Sequence, residues 1–381
     1  MTATRLRRRW AGPAIAAAAV GAVCALPATG VAGVPAVQDD QMTIAAPISE
    51  VPARINAVKA TKAKVARFDI LWSEVARTKP AKPTDPDDPA YDWTRADLVI
   101  NGFAKAKITP IVSVYSTPDW AVQGRNTPVA TQYNPNAPRA KDYANFMQAV
   151  AKRYKGKARH FEVWNEPNLK GFFAHNGKSN LARYKALVRA AYPALKRGNK
   201  RSIVIAGVAG PNNSGKNGNV GAKAWLLGLV GDKRVKFDAY SQHIYPSQGP
   251  RYNTRSYARA YPTWNSLSYI YKQLDRKKKG MKLYVTEAGY TTAKTPFRSS
   301  ATAVVSLSKQ RQYLRQLYAL PQVKSPRMAA VVWFNLQDNV MWPAGLIREN
   351  GKKKPSYAAF RSLASKPIPA SLRSELNPRL K

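Results

Sequence analysis

From Met42 onward, short apolar runs alternate with longer stretches whose apolar residues recur every three or four positions. The first kind reads as buried strands and the second as amphipathic helices. Their regular alternation argues for a parallel sheet covered by helices. The candidate strands span 42–47, 64–72, 109–116, 160–165, 202–208, 237–245, 282–287 and 328–335. Between them, Ser49 and Pro52 suit the first turn of a helix. Tyr143, Phe146, Met147, Val150 and Tyr154 fall on one helical face. Eight strand–helix units without an internal repeat predict a single α/β domain, a (β/α)8 barrel over 40–365, followed by a loose basic tail at 366–381.

Loop lengths give the barrel a direction. The segments after the second, third, sixth and eighth strands (79–93, 117–138, 246–264 and 336–351) are longer than those after the helices. In such barrels the loops that follow strands carry the active site.

The first 36 residues change the picture at one end. Arg5, Arg7, Arg8 and Arg9 precede an uncharged alanine-rich run, and small residues follow near Ala28, Gly33 and Ala36. That order is expected of a secretory leader over 1–36, whose apolar run is short for a membrane span. The expected destination is extracellular or wall-associated, with no stable membrane insertion once the leader is removed. Cys24 is the single cysteine and lies in that leader. The remaining chain therefore has no disulfide, thiolate nucleophile or cysteine-bound metal. Three histidines, His160, His175 and His243, lack metal-ligand spacing, and no G-x-S-x-G elbow is present. No cofactor is expected. The run "GPNNSGKN" (210–217) departs from a phosphate loop at Asn217, where a hydroxyl would be needed.

Charge adds a question about partners. The formal net charge is +41. A field of that size attracts polyanions, yet no nucleic-acid-binding module accompanies it. An acidic glycan and a generally lysine-rich surface both account for it.

Two strands end on a carboxylate. "HFEVWNEPNL" (160–169) stops at Glu166 beside Asn165, and "KLYVTEAGYTT" (282–292) stops at Glu287. Strands four and seven face each other across a barrel mouth. Two carboxyls brought to about 5 Å would suit glycosidic cleavage with retention, one as nucleophile and the other as acid and base. Arg67, on strand two, can pair with Glu162 inside the barrel, since inward barrel charges must be paired. His243 is open between a site residue and a core histidine. Among loop aromatics, Trp120 and Trp342 are the sugar-stacking candidates. Arg251, Arg255 and Arg259 could meet acidic groups on a substrate, whereas Tyr252, Tyr257, Tyr261 and Trp264 read as loop packing.

"WNEPN" after strand four and "TEAGY" after strand seven resemble the clan A glycoside hydrolases. "FEVWNEPNL" is most similar to glycoside hydrolase family 39, the xylosidase and iduronidase group, and to related secreted glycanases. The resemblance implies Glu166 as acid/base and Glu287 as nucleophile. It implies Asn165 on the sugar 2-hydroxyl, Arg67 beside the nucleophile, His243 and Tyr245 as the strand-six "H-x-Y", and Trp333 under the bound sugar. The expected protein is a secreted retaining glycosidase acting on an oligo- or polysaccharide, acidic in one version. The alternative is an inactive barrel that binds anionic glycans at the cell surface. Oligomeric state is not legible.

Overall fold

Eight parallel strands close on themselves in chain order in the computed structural model, which describes residues 33–43, 45–124, 133–174, 179–212, 215–252, 262–295 and 304–376. They are β1 (Val34–Gln38), β2 (Val65–Leu71), β3 (Thr109–Tyr115), β4 (His160–Val163), β5 (Ile203–Ala209), β6 (Ala239–Ile244), β7 (Lys282–Ala288) and β8 (Met328–Phe334). The seam is closed by β1 against β8, with Val34 opposite Ala330 and Gln38 opposite Phe334. Outside lie α1 (Val51–Ala60), α2 (Thr94–Ala106), α3 (Ala140–Arg153), α4 (Asn180–Gly198), α5 (Ala222–Gly231), α6 (Ser266–Asp275), α7 (Leu307–Ala319) and α8 (Pro355–Ala364). The expected (β/α)8 barrel is the observed fold.

Side chains alternate across each strand, so every strand feeds two cores. One row faces the helices in a large outer core that includes Phe68, Ile70, Val112, Val331 and Trp333. The other row fills the barrel, where Val34, Ala36, Val65, Ile111, Ile205, Ala239, Tyr284 and Val332 pack together. Toward the C-terminal ends the inward row turns polar, with Gln38, Arg67, Ser113, Glu162, Ser241 and Thr286 all buried. Such groups are tolerated there only if each finds a partner.

Both ends of the expected domain move. The first strand is Val34–Gln38, and the described residues of 42–47 form no strand. "VPAVQ" places Val34 and Ala36 in the inner core and Val37 in the outer core, whereas Met42 is buried as the last residue of a short helical turn, Asp40–Met42. The expected leader over 1–36 would overlap this strand; residues 1–32, Cys24 among them, lie outside the described residues. The tail also changes. Residues Ala370–Leu376 form a further helix, α9, whose Leu372 and Leu376 join the inner core. Thr109 donates to the Leu376 carbonyl at 2.7 Å, and Tyr284 inside the barrel donates to the Glu375 carboxylate. Thr109 begins β3, so α9 stops the N-terminal end of the barrel. A segment expected to be loose is the barrel floor, because two leucines four apart give it an apolar stripe.

Candidate active site

The end of β4 is bent to present its residues upward. Trp164 and Glu166 adopt positive φ, 74° and 42°, which non-glycine residues rarely do. Outer packing holds that bend: the buried Trp164 indole lies edge-on to Phe173 and donates its N–H to the Phe172 carbonyl at 2.7 Å. Gly210, after β5, leaves the space Glu166 uses. A Cβ there would lie 2.8 Å from the Glu166 carboxyl carbon, closer than real contacts allow. Asn168 ties the two loops together, accepting from Gly210 N–H at 2.7 Å and donating to its carbonyl at 3.1 Å.

On β7 the device is a register shift. Strand pairing slips between Val285 and Ala288 against β8, and Glu287 pairs with His243 on β6. A bulge lets two consecutive side chains face the same way. Thr286 donates to Ser241 inside the barrel at 3.1 Å, and Glu287 also reaches the interior.

Arg67 is the hub. Its guanidinium, fully buried, donates to Glu162 at 2.7 Å, Glu287 at 2.9 Å, Asn165 Oδ1 at 2.8 Å and Gln38 Oε1 at 2.7 Å. Asp69 lies 3.3 Å away. The two partners left open by sequence are thus both engaged. Burial works against the guanidinium charge, but Asp69, Glu162 and Glu287 more than offset it, leaving Arg67 firmly protonated. Ser241 donates to the second Glu162 oxygen at 2.8 Å, so that buried carboxylate is satisfied on both sides.

Glu287 receives a second donor, the Tyr245 O–H, at 2.7 Å. Burial pushes the Glu287 carboxyl above the usual carboxylate range; His243 and Arg67 pull it down, Glu166 adds to the rise, and the Tyr245 bond opposes it. His243 Nδ1 lies 2.8 Å from Glu166 and 3.4 Å from Glu287. Burial disfavours its proton, but the charges of Glu287 and Glu166 reverse that, and its pKa is raised. One donor atom each of Glu166, His243 and Glu287 fall within 4.8 Å of one another. This is also the described grouping able to offer three ligand atoms to a metal ion, although its members already bond each other and Arg67.

The mouth around the pair is acidic. Asp40, half-buried just past β1, is pushed up to about 7, first by burial and then by Asp69, Glu287 and Asp39. Its backbone N–H is held by Asn335 Oδ1 at 3.0 Å. Asp69 accepts from Gln38 at 3.0 Å and from Tyr115 O–H at 3.3 Å.

Seven of the nine expected residues meet here: Glu166, Glu287, Asn165, Arg67, His243, Tyr245 and Trp342. Trp342 stands edge-on to Tyr245 with ring centroids 4.7 Å apart. The other two expectations are corrected. Trp333 is fully buried in the outer core, its indole donating to the Ala344 carbonyl at 2.9 Å. Because Val332 belongs to the inner core, Phe334 continues the inward row; it is only half-buried and lies 6.2 Å from Trp342. Trp120 packs edge-on to the buried Trp72 at 5.5 Å and bonds the Ala76 carbonyl at 2.7 Å, fastening one loop to another on the helix side. Trp264 is loop packing, bonded to Tyr290 O–H at 3.1 Å. His160 is a core histidine, held neutral by burial and facing Tyr284. Arg251 and Tyr252 are exposed. Arg255, Arg259, Tyr257, Tyr261 and His175 lie outside the described residues, as do Asn213 and Ser214 of the phosphate-loop look-alike.

Sequence reasoning missed Gln38, Asp40, Asp69, Gly210 and Phe334. Two signals were available. Asp69 sits two residues after Arg67 and so shares its face, and strand parity separates Phe334 from Trp333.

The pH response of the pair follows from these contacts. A hydrogen bond to the charged form favours it, so Tyr245→Phe should raise the Glu287 pKa further. The ionised form is lost as pH falls through that pKa. The acidic limb of the kcat/KM profile should therefore move to higher pH, with a roughly tenfold to hundredfold loss of rate, the cost of one charge-assisted donor. A pH–rate profile on an aryl glycoside measures both; an unmoved acidic limb would show that Tyr245 does not act on Glu287.

Comparison with known proteins places these features in context. The family model "Glycosyl hydrolases family 39" matches residues 74–365. The chain is 26% identical over 186 residues to a beta-xylosidase of Geobacillus stearothermophilus, a match covering 44% of this chain and 33% of the relative. Among solved structures, a family 39 glycoside hydrolase from Bacteroides cellulosilyticus WH2 superposes with a TM-score of 0.62 at 19% identity, over 88% of this chain and 64% of that one. A monomeric beta-xylosidase from Caulobacter crescentus CB15 gives 0.61 at 18%, over 88% and 68%. The chain thus matches a third of the curated relative's length and about two thirds of these structures. At such identities the superpositions report on the fold, which agrees with the barrel described.

Proposed function

The chain belongs to the family 39 glycosyl hydrolases, and on that premise we propose that it cleaves O-glycosidic bonds with retention of anomeric configuration. The observation that carries this reading is Glu287 held between the Arg67 guanidinium and the Tyr245 hydroxyl, with Glu166 opposite it. Two carboxyls this close leave no room for the water that an inverting reaction places between them.

In the first step Glu287 attacks the anomeric carbon while Glu166 gives its proton to the departing oxygen. In the second, Glu166 takes a proton from water as the water displaces Glu287. Arg67 and Tyr245 steady the carboxylate that must attack and later leave. Asn165, fixed by Arg67 at 2.8 Å, has its amide N–H available to a sugar hydroxyl. Phe334 and Trp342 supply apolar surface beside the pair. With Glu166 protonated for its acid role and Asp40 pushed up to about 7, Asp69, Glu162 and Glu287 still outnumber Arg67 and His243 here. A carboxylate on the reacting sugar would meet repulsion, which favours a neutral sugar in this position and sets the chain's positive charge to other work.

We further propose that the protein acts outside the cytoplasm. The order of basic, apolar and small residues before Gly33 supports this. Among the described residues no helix is long and apolar enough to cross a membrane.

Proton NMR of an aryl glycoside digest tests the mechanism. The first sugar released should carry the anomeric configuration of the substrate. An inverted first product would overturn the double displacement.

A further inference from the structure

Far from the acidic mouth, the barrel wall carries the opposite charge. A groove of about 950 Å³ runs beside α4, lined by Tyr192 and Pro193 together with Arg189, Lys196, Arg197, Lys200, Arg234 and Lys236. Arg189 and Lys196 lie seven apart on one face of α4, and Lys200 follows just past its end, after Asn199 turns extended. Seven residues of helical rise set Arg189 and Lys196 about 10 Å apart along the helix axis. Arg234 and Lys236 close the far side from the segment that leads into β6. The end of α4 leads into β5, which places the groove toward the barrel floor, away from the catalytic end.

The local acids do not neutralise it. Asp232 meets Lys185, Arg189 and Arg234 at 3.4–3.7 Å, and Asp238 meets Lys196 at 2.7 Å. Arg197, Lys200 and Lys236 are exposed and have no carboxylate partner among the described residues; Arg197 bonds only the Gln148 amide oxygen, at 3.1 Å. Cations in the last turn of a helix offset its dipole, which accounts for Lys196 and Arg197. It does not account for Lys200, Arg234 or Lys236, which lie beyond the helix.

We propose that this groove is a binding site for an acidic polysaccharide, a linear glycan bearing carboxylate or sulfate groups, separate from the catalytic mouth. The chemistry favours that class over other polyanions. Tyr192 is the groove's one aromatic lining residue. Lys196 Nζ sits over its ring at 5.3 Å, and its hydroxyl bonds Asp238 at 3.2 Å. No open ring is left for stacked bases, the usual second component of a single-stranded nucleic-acid groove. A bilayer would need apolar side chains to insert. Among the described residues, the exposed large apolar ones, Ile48, Leu98, Tyr252, Val304, Val340 and Met341, are all elsewhere. Arginine and lysine along a shallow channel suit spaced carboxylates or sulfates, which can be met singly by lysine and in pairs of bonds by arginine. Such a site would hold the protein on an anionic matrix while the mouth works on neutral sugar. The binding claim stands independently of the catalytic reading.

The test is a charge-matched comparison on the full chain. One variant combines Arg197→Gln, Lys200→Gln and Lys236→Gln. The control combines Lys59→Gln, Lys62→Gln and Lys105→Gln, exposed lysines at α1 and α2 outside the groove. The single variant Lys200→Glu repeats the groove test with one change should the triple prove unstable. Binding to polygalacturonate, heparin and a DNA duplex is measured at about 0.1 M salt, where charges beyond about 10 Å are screened. The groove triple should weaken binding to polygalacturonate or heparin by about tenfold or more, and the control by less than about threefold, with the duplex affected less than the glycan. Whichever glycan responds names carboxylate or sulfate as the group read. Hydrolysis of a neutral aryl glycoside should be the same in all variants. Equal losses in groove and control variants would reduce the effect to net charge and overturn the site. An unchanged groove variant, or a loss confined to DNA, would overturn it as well.

Discussion

Glu287→Ala should lose turnover by roughly three to six orders of magnitude, the range expected when a covalent nucleophile is removed, and should still fold. The second half of that expectation comes from the surroundings. Removing the carboxylate takes one partner from Arg67 but leaves Glu162 at 2.7 Å and Asp69 at 3.3 Å. The buried guanidinium therefore stays paired, and the large penalty for an orphaned charge is avoided. Truncation also opens space beside the anomeric carbon. Azide should enter it, restore part of the rate on an activated substrate, and yield a glycosyl azide of inverted configuration. A variant retaining more than about a tenth of wild-type turnover would exclude Glu287 as the nucleophile, because no bystander carboxylate fits so large an expected loss.

Glu166→Ala should divide substrates by their leaving groups. A good leaving group departs without a proton, so kcat/KM for a dinitrophenyl glycoside should fall little. A sugar leaving group needs the proton, and its kcat/KM should fall by about a hundredfold to ten thousandfold. Turnover of the activated substrate should then be limited by the second step, where Glu166 is also missing as base. The variant removes one of the two carboxylates that raise the His243 pKa, and Glu287 still lies 3.4 Å from that ring. Uniform losses on both substrates would point instead to collapse of the strand-four bend, with Glu166 a structural residue.

Much of this site was readable in the sequence because it sits at strand ends. Asn165, Glu166 and Glu287 follow apolar runs, His243 and Tyr245 end a third, and Arg67 is the arginine within a fourth. Position along a strand carried the information, and the barrel supplied the third dimension. Errors arose where that logic was not applied or had no purchase. The resemblance points to Trp333, although alternation with Val332 assigns the inward place to Phe334. β1 was hidden because "VPAVQ" follows directly on an alanine-rich run, and with it went Gln38 and Asp40. α9 was masked by the prolines and basic residues around Leu372 and Leu376. Gly210 had no local signal at all: its role exists only because a side chain 44 positions earlier needs the space.

The guanidinium that reaches Gln38, Asp69, Glu162, Asn165 and Glu287 also bears on how this site can change over evolutionary time. Residues that share one partner do not contribute independently. A substitution at Asp69 alters the charge seen by Glu287, and one at Gln38 frees a donor that others can claim. The five positions therefore form one epistatic unit. Their tolerated combinations cannot be inferred from single replacements, and a lineage altering this pocket must move through paired changes or leave Arg67 and its neighbours untouched while specificity drifts in the surrounding loops.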